Sequence, residues 1–140
     1  MSGPDRASGP HQFVHPEGWA PARGYANGVV ATGRQLFVGG QIGWNAAQEF
    51  EHRDFVGQMR QALRNIRAVL GAAGGAPEHL VRLTWYVTDK REYLGKQGEV
   101  GAAYREIMGR HFPAMTMVVV SALVEDEALV EIEATAVLQD

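Results

Sequence analysis

DFVGQMRQALRNIRAVLGAAGGAPEHLVRLTWYVT, residues 54–88, changes its hydrophobic period part-way along. Phe55, Met59, Leu63, Ile66 and Leu70 recur three or four residues apart and form one apolar stripe. Arg60, Arg64 and Arg67 fall away from that stripe, on the side left to water. Asp54 stands where an N-cap accepts from the first-turn N–H groups, and Gly74-Gly75 with Pro77 stops the run. The spacing predicts a helix over residues 54–73. From Leu80 to Thr88 the period drops to two, with Val81, Leu83, Trp85 and Val87 on one side and Arg82, Thr84, Tyr86 and Thr88 on the other. That is a strand.

Towards the C-terminus, residues 96–110 predict a second helix with Val100, Ala103, Tyr104, Ile107 and Met108 inward, ended by Gly109 and Pro113. Residues 117–123 and 129–138 predict two more strands, joined by the acidic turn Glu125-Asp126-Glu127. Towards the N-terminus, residues 29–31 and 36–38 read as a short hairpin across Thr32-Gly33-Arg34-Gln35. Gly39-Gly40-Gln41-Ile42-Gly43 then ends the second of these strands. Pro4, Pro10, Pro16 and Pro21 make residues 1–24 an extended stretch rather than a packed element. An N-terminal arm over 1–21 and a single domain over 22–140 follow. The order is β-β-α-β-α-β-β, an α+β fold with two helices on one face of a mixed sheet. Trp85, Val118, Val120 and the other strand apolars exceed what one helical layer needs, so the sheet's second face predicts a closed homo-oligomer.

Composition narrows the chemistry. In 140 residues, 46% are hydrophobic and 21% charged, too apolar for disorder and enough for one core. With no cysteine there is no disulfide framework, thiolate zinc site, iron–sulfur cluster or cysteine nucleophile. The net charge of −3 lacks the nonspecific attraction for nucleic acid. No apolar run reaches the roughly 18 residues of a membrane span, and the polar first ten residues hold no signal-peptide core. A cytoplasmic soluble domain is expected.

Residues 129–138 carry the clearest candidate chemistry. Val130, Ile132, Ala134, Ala136 and Leu138 point one way, while Leu129, Glu131, Glu133, Thr135 and Val137 point the other. Glu131 and Glu133 therefore share a face, either as a solvated surface or as a general acid/base carboxylate in a cleft. Spacing alone does not choose. Gly39 to Gly43 offers exposed backbone N–H groups for an anion, or is simply a bulge. His11, His15, His52, His79 and His111 show no metal-ligand spacing, so no metal is expected. Ser2, Ser8 and Ser121 sit in no nucleophile elbow. Tyr25 passes for a packed loop aromatic.

Taken together, these segments resemble the RidA (YjgF) family of reactive-intermediate deaminases. The likeness rests on Gly24-Tyr25 with Gly28-Val29, on Leu36 to Gly43, and on Gln58 to Asn65 with Ala72-Ala73-Gly74. Thr84 to Asp89, Phe112-Pro113-Ala114, Leu123 and Val130-Glu131-Ile132-Glu133-Ala134 continue it, so that it covers residues 22–138 in collinear order. The resemblance implies a chorismate-mutase-like subunit in a homotrimeric barrel, with small-molecule clefts between subunits. It implies hydrolysis of enamines and imines to 2-keto acids and ammonia without a cofactor. It also implies that Glu131 positions water, that Tyr25 lines the cleft and that Gly39 and Gly40 contact the ligand. Where the family carries a carboxylate-clamping arginine, this chain has Met115, with the bulkier Met117 beside it and Gly101 at a position commonly held by asparagine. A thioether gives soft apolar contact where a guanidinium gives a bidentate fork. Met115 and Met117 are expected either to fill core or to form an apolar ligand wall, and Arg23 or Arg34 is a candidate replacement cation. The function expected is a divergent deaminase of a small enamine or imine. The alternative is a non-catalytic small-molecule-binding trimer, with ribonuclease activity last.

Overall fold

In the computed structural model, which describes residues 9–139, helix α1 spans Phe55–Ala72. Asp54 caps it as expected, its Oδ2 accepting from the Gly57 N–H at 2.9 Å. At the other end Gly74 takes a φ of +84°, which lets the Gly75 N–H reach back to the Leu70 carbonyl at 2.7 Å. The stripe is wholly inside, with Met59, Leu63, Ile66 and Leu70 fully buried.

Ahead of α1 run strands β1 (Gln12–Val14), β2 (Gly28–Val30) and β3 (Arg34–Ile42). After it come β4 (Leu80–Val87), a short helix α2 (Lys90–Leu94), α3 (Gln97–Met108), β5 (Ala114–Val119) and β6 (Val130–Leu138). The main sheet has the order β3-β6-β4-β5. Its β3–β6 and β6–β4 pairs are antiparallel, while β4 and β5 are parallel across the α2–α3 connection. Helices α1 and α3 cover one face, where Leu83, Val87, Val130, Ile132 and Ala136 are completely buried. The mixed sheet and its helices make this the α+β class expected.

Several expectations are corrected. The 29–31 strand does not form a hairpin with 36–38: β2 pairs with β1, Phe13 opposite Val29. Local alternation marks a strand but does not name its partner. The N-terminal stretch is accordingly packed in part. His11 is buried with its Nε2–H donating to the His79 carbonyl at 3.0 Å, and the Phe13 ring lies 5.5 Å from that of His111. The part of the arm over residues 1–8 lies outside the described residues. Strand β3 does not end at the glycines but runs through them. The second helix begins at Gln97, after the separate turn of α2. Strand β5 starts three residues early, at Ala114, where it is bridged by Ala26 on one side and Arg82 on the other, and it ends at Val119 with its pairing to β4. That pairing closes with the Val120 N–H on the Val87 carbonyl at 2.9 Å. In β4 a register shift between Leu80 and Arg82 makes Leu80 the fully buried residue and leaves Val81 half-buried.

Trp85 is not surplus surface. It is 3% exposed and packs under the helices. The face opposite the helices is mixed in character, with Phe37 at 70% exposure opposite Thr135, and Val118 beside Tyr86.

Candidate functional site

On β6 the alternation holds, so Val130, Ile132 and Ala134 enter the core and Glu131 and Glu133 leave on the sheet's other face. Across from them, Val38 pairs with Ala134 and Gln41 with Ile132. Gly39 and Gly40 together therefore oppose the single residue Glu133, which is a β-bulge inside a strand. The bulge serves the carboxylate next door. A Cβ on Gly40 would run into the Glu131 carboxylate, so only glycine lets that group lie against the β3 backbone.

The two glutamates are not equivalent. Tyr86 on β4 stands opposite Glu131 in register, and its hydroxyl donates to Glu133 Oε1. That hydrogen bond, with a smaller contribution from desolvation and from the charges of Glu133 and Glu131, holds the Tyr86 phenol above its ordinary pKa. Glu133 is thus occupied. The Glu131 carboxylate forms no hydrogen bond or ion pair among the described residues, which leaves its acceptor oxygens open.

A second feature lies on the helix side of the β4–β5 edge. Met115 is the register partner of Leu83, and Met117 of Trp85, so both methionines face the helical layer. With Tyr25, Trp85, Tyr93 and Tyr104 they wall a cleft of about 390 Å³, which Arg23, Gln97 and Gly101 also border. The Arg23–Tyr25 segment is held there by Ala26, whose N–H donates to the Pro113 carbonyl at 3.0 Å. Tyr104 stacks on Phe112 with ring centroids 5.2 Å apart and donates its hydroxyl to the His111 carbonyl at 2.6 Å. Burial pushes its phenol well above the ordinary range.

The structure thus brings Tyr25, Met115 and Met117 together and leaves Glu131, Gly39 and Gly40 outside that cleft. Within one chain the six residues form two groups. Arg23 borders the cleft, whereas Arg34 begins β3 opposite Leu138, away from it. Sequence reasoning missed Trp85, Tyr93 and Gln97 as cleft residues. The alternation of 80–88 put Trp85 on the core side, but only the parallel register with β5 sets it beside Met117. A larger cleft of about 740 Å³ lies at the end of α3 and shares only Phe112 with the smaller one. Its Arg67 donates to the Ile107 carbonyl at 2.9 Å, an interaction that closes the helix end. Among the described residues no group of three or more His, Asp and Glu side chains could hold a metal ion, and no helix is long and apolar enough to cross a membrane.

Relatives share this architecture. The chain is 33% identical over 126 residues to a RutC family protein of Haemophilus influenzae, covering 90% of this chain and 96% of that one. It is 34% identical over 116 residues to the 2-iminobutanoate/2-iminopropanoate deaminase of Escherichia coli, covering 81% and 86%. Among solved structures, the Rid-family protein YyfB of Yersinia pestis superposes with a TM-score of 0.79 at 32% identity, over 92% of this chain and 99% of that one. The YjgF gene product of E. coli superposes at 0.65 with 34% identity, over 82% and 88%. Residues 17–138 match the family model described as Endoribonuclease L-PSP, so the chain belongs to that family, and the solved structures it resembles are YjgF and Rid proteins.

Proposed function

We propose that the protein is a homotrimeric hydrolase of small imines or enamines, with its ligand clefts between subunits and water held by Glu131. The observation that carries this reading is the Glu131 carboxylate lying against Gly40, unpartnered, while Glu133 is taken up by Tyr86. The deaminase name of the E. coli relative supports the reaction class. A neighbouring copy laid on the open sheet face would bring its cleft residues towards Glu131, which one chain keeps apart from Tyr25, Met115 and Met117.

The chemistry needs no cofactor. Glu131 accepts a proton from water as the oxygen adds to the carbon of the C=N bond, and the nitrogen is protonated. The resulting carbinolamine loses ammonia as its hydroxyl proton leaves and the C=O bond forms. An enamine enters the same route after protonation at carbon. The exposed Gly39–Gly40 bulge is the backbone proposed to orient the ligand.

The test generates imines in situ with an amino-acid oxidase or a dehydratase and follows 2-keto acid release. Because Met115 gives no charge-assisted contact, 2-aminoacrylate and 2-iminobutyrate are expected to be poor substrates, and imines with larger apolar side chains better ones. Acceleration of none of them would leave the second reading, a non-catalytic small-molecule-binding trimer, which Met115 in the cleft wall favours. Ribonuclease activity fits least, since the chain carries a net charge of −3.

A further inference from the structure

The cleft beside β5 has a composition that specifies its guest. Five aromatic side chains border it, those of Tyr25, Trp85, Tyr93, Tyr104 and Phe112, and two methionines complete the wall. Rings and thioethers favour a flat, polarisable body: rings stack in offset or edge-on geometry, and methionine sulfur makes close contact with ring edges. Among the thirteen residues that line the cleft, Arg23 alone carries a formal charge, and it makes no hydrogen bond or ion pair among the described residues. A free guanidinium beside an apolar slot selects an anion, and a planar carboxylate matches its fork.

A second observation points the same way. The indole N–H of Trp85 is buried and has no acceptor among the described residues, although Trp85 contributes to the cleft wall. An orphaned buried donor is costly, and a ligand lone pair would satisfy it. The volume of about 390 Å³ is in the usual range for small-molecule sites.

We propose that this cleft binds a planar aryl-substituted carboxylate, with Arg23 as its anion-binding residue and the Trp85 N–H as a donor to the ligand. The inference names the substrate class for the site proposed above, and rests on that reading for turnover but not for binding. Short aliphatic acids engage Arg23 and leave the aromatic wall unfilled. Neutral aryl molecules fill the wall and leave Arg23 unpaired.

Three stable probes separate these terms in calorimetric titrations of the full chain: cinnamate, its neutral isostere cinnamamide, and the short acid crotonate. Cinnamate is expected to bind about tenfold or more tightly than either of the others. Arg23→Ala should remove the preference for cinnamate over cinnamamide, and Arg23→Lys should restore part of it. In a Trp19→Phe, Trp44→Phe background, cinnamate should change the emission of the remaining Trp85. Equal binding of cinnamate and cinnamamide, no effect of Arg23→Ala on that ratio, crotonate binding as well as cinnamate, or a silent Trp85 would each overturn the proposal. The imine assay on the same preparations keeps the two readings apart. Cinnamate binding through Arg23 without any imine hydrolysis retains the ligand class and removes the hydrolase. Hydrolysis indifferent to Arg23→Ala does the reverse.

Discussion

Glu131 and Glu133 leave the same face of β6, and Tyr86 is what separates them. Two carboxylates at i and i+2 look alike in a sequence, because alternation reports the face and says nothing of the neighbours on the next strand. Glu131→Gln keeps size and hydrogen bonding but removes the base. It is expected to abolish turnover of imines while leaving the oligomer and thermal midpoint nearly unchanged. Glu133→Gln should have the smaller effect on turnover and should lower the Tyr86 phenol towards its ordinary pKa, read in an ultraviolet pH titration. Equal losses at both positions would count against the assigned role. Gly40→Ala adds a methyl where the Glu131 carboxylate lies, and the obstacle is the far end of a flexible side chain. Its cost should therefore fall on activity, with a change of stability under about 1.5 kcal/mol in urea unfolding.

Individual elements are fastened by polar groups that no hydrophobic period reveals. Gln58 lies in the buried stripe of α1 with no exposed surface. Its amide donates to the carbonyls of His52 at 3.2 Å and Glu127 at 2.9 Å, and accepts from the Leu129 N–H at 2.7 Å. One side chain thus ties the helix to the loop that feeds β6. Gln58→Leu keeps the volume and strands those groups, and should cost roughly 2–4 kcal/mol by denaturant titration. His111, just before β5, donates its Nε2–H to the Leu80 carbonyl at 2.7 Å. Burial lowers its pKa, the Leu80 bond and Glu78 oppose that, and the nearby His11 and His79 reinforce it. The folded state therefore binds this proton less readily than the unfolded state, whose histidine titrates at about 6.5. Stability present above that pH should fall as the pH drops below it, until His111 protonates in the native state as well. In His111→Asn the same pH series of unfolding free energies should be flatter.

For the whole molecule, the sheet is covered by α1 and α3 on one face only, and the other face carries Phe37 at 70% exposure next to half-buried polar groups. A homotrimer that closes such faces into a barrel should appear in sedimentation equilibrium at micromolar concentration as about three times the chain mass. A stable monomer would remove both the interface and the joining of Glu131 to the cleft. The same experiment on Phe37→Glu should shift the protein towards smaller species, because the proposed trimer would bury that charge against a neighbouring copy.

By itself the sequence determined the α1 helix with its cap and stop, the alternation of β6 and of β4 from Leu83 onward, and hence the α+β layering, because these follow from periods and caps local to each segment. It also placed Glu131 and Glu133 on the face away from the core, and it marked the family through collinear motifs. Only the tertiary structure decided that β2 pairs with β1, that β3 bulges at Gly39–Gly40 to receive Glu131, and that Tyr86 occupies Glu133. It alone put Arg23 at the Met115–Met117 cleft and Arg34 away from it. Strand partners and register are contacts between residues far apart in the chain, and a period within one segment carries no information about which distant segment lies beside it.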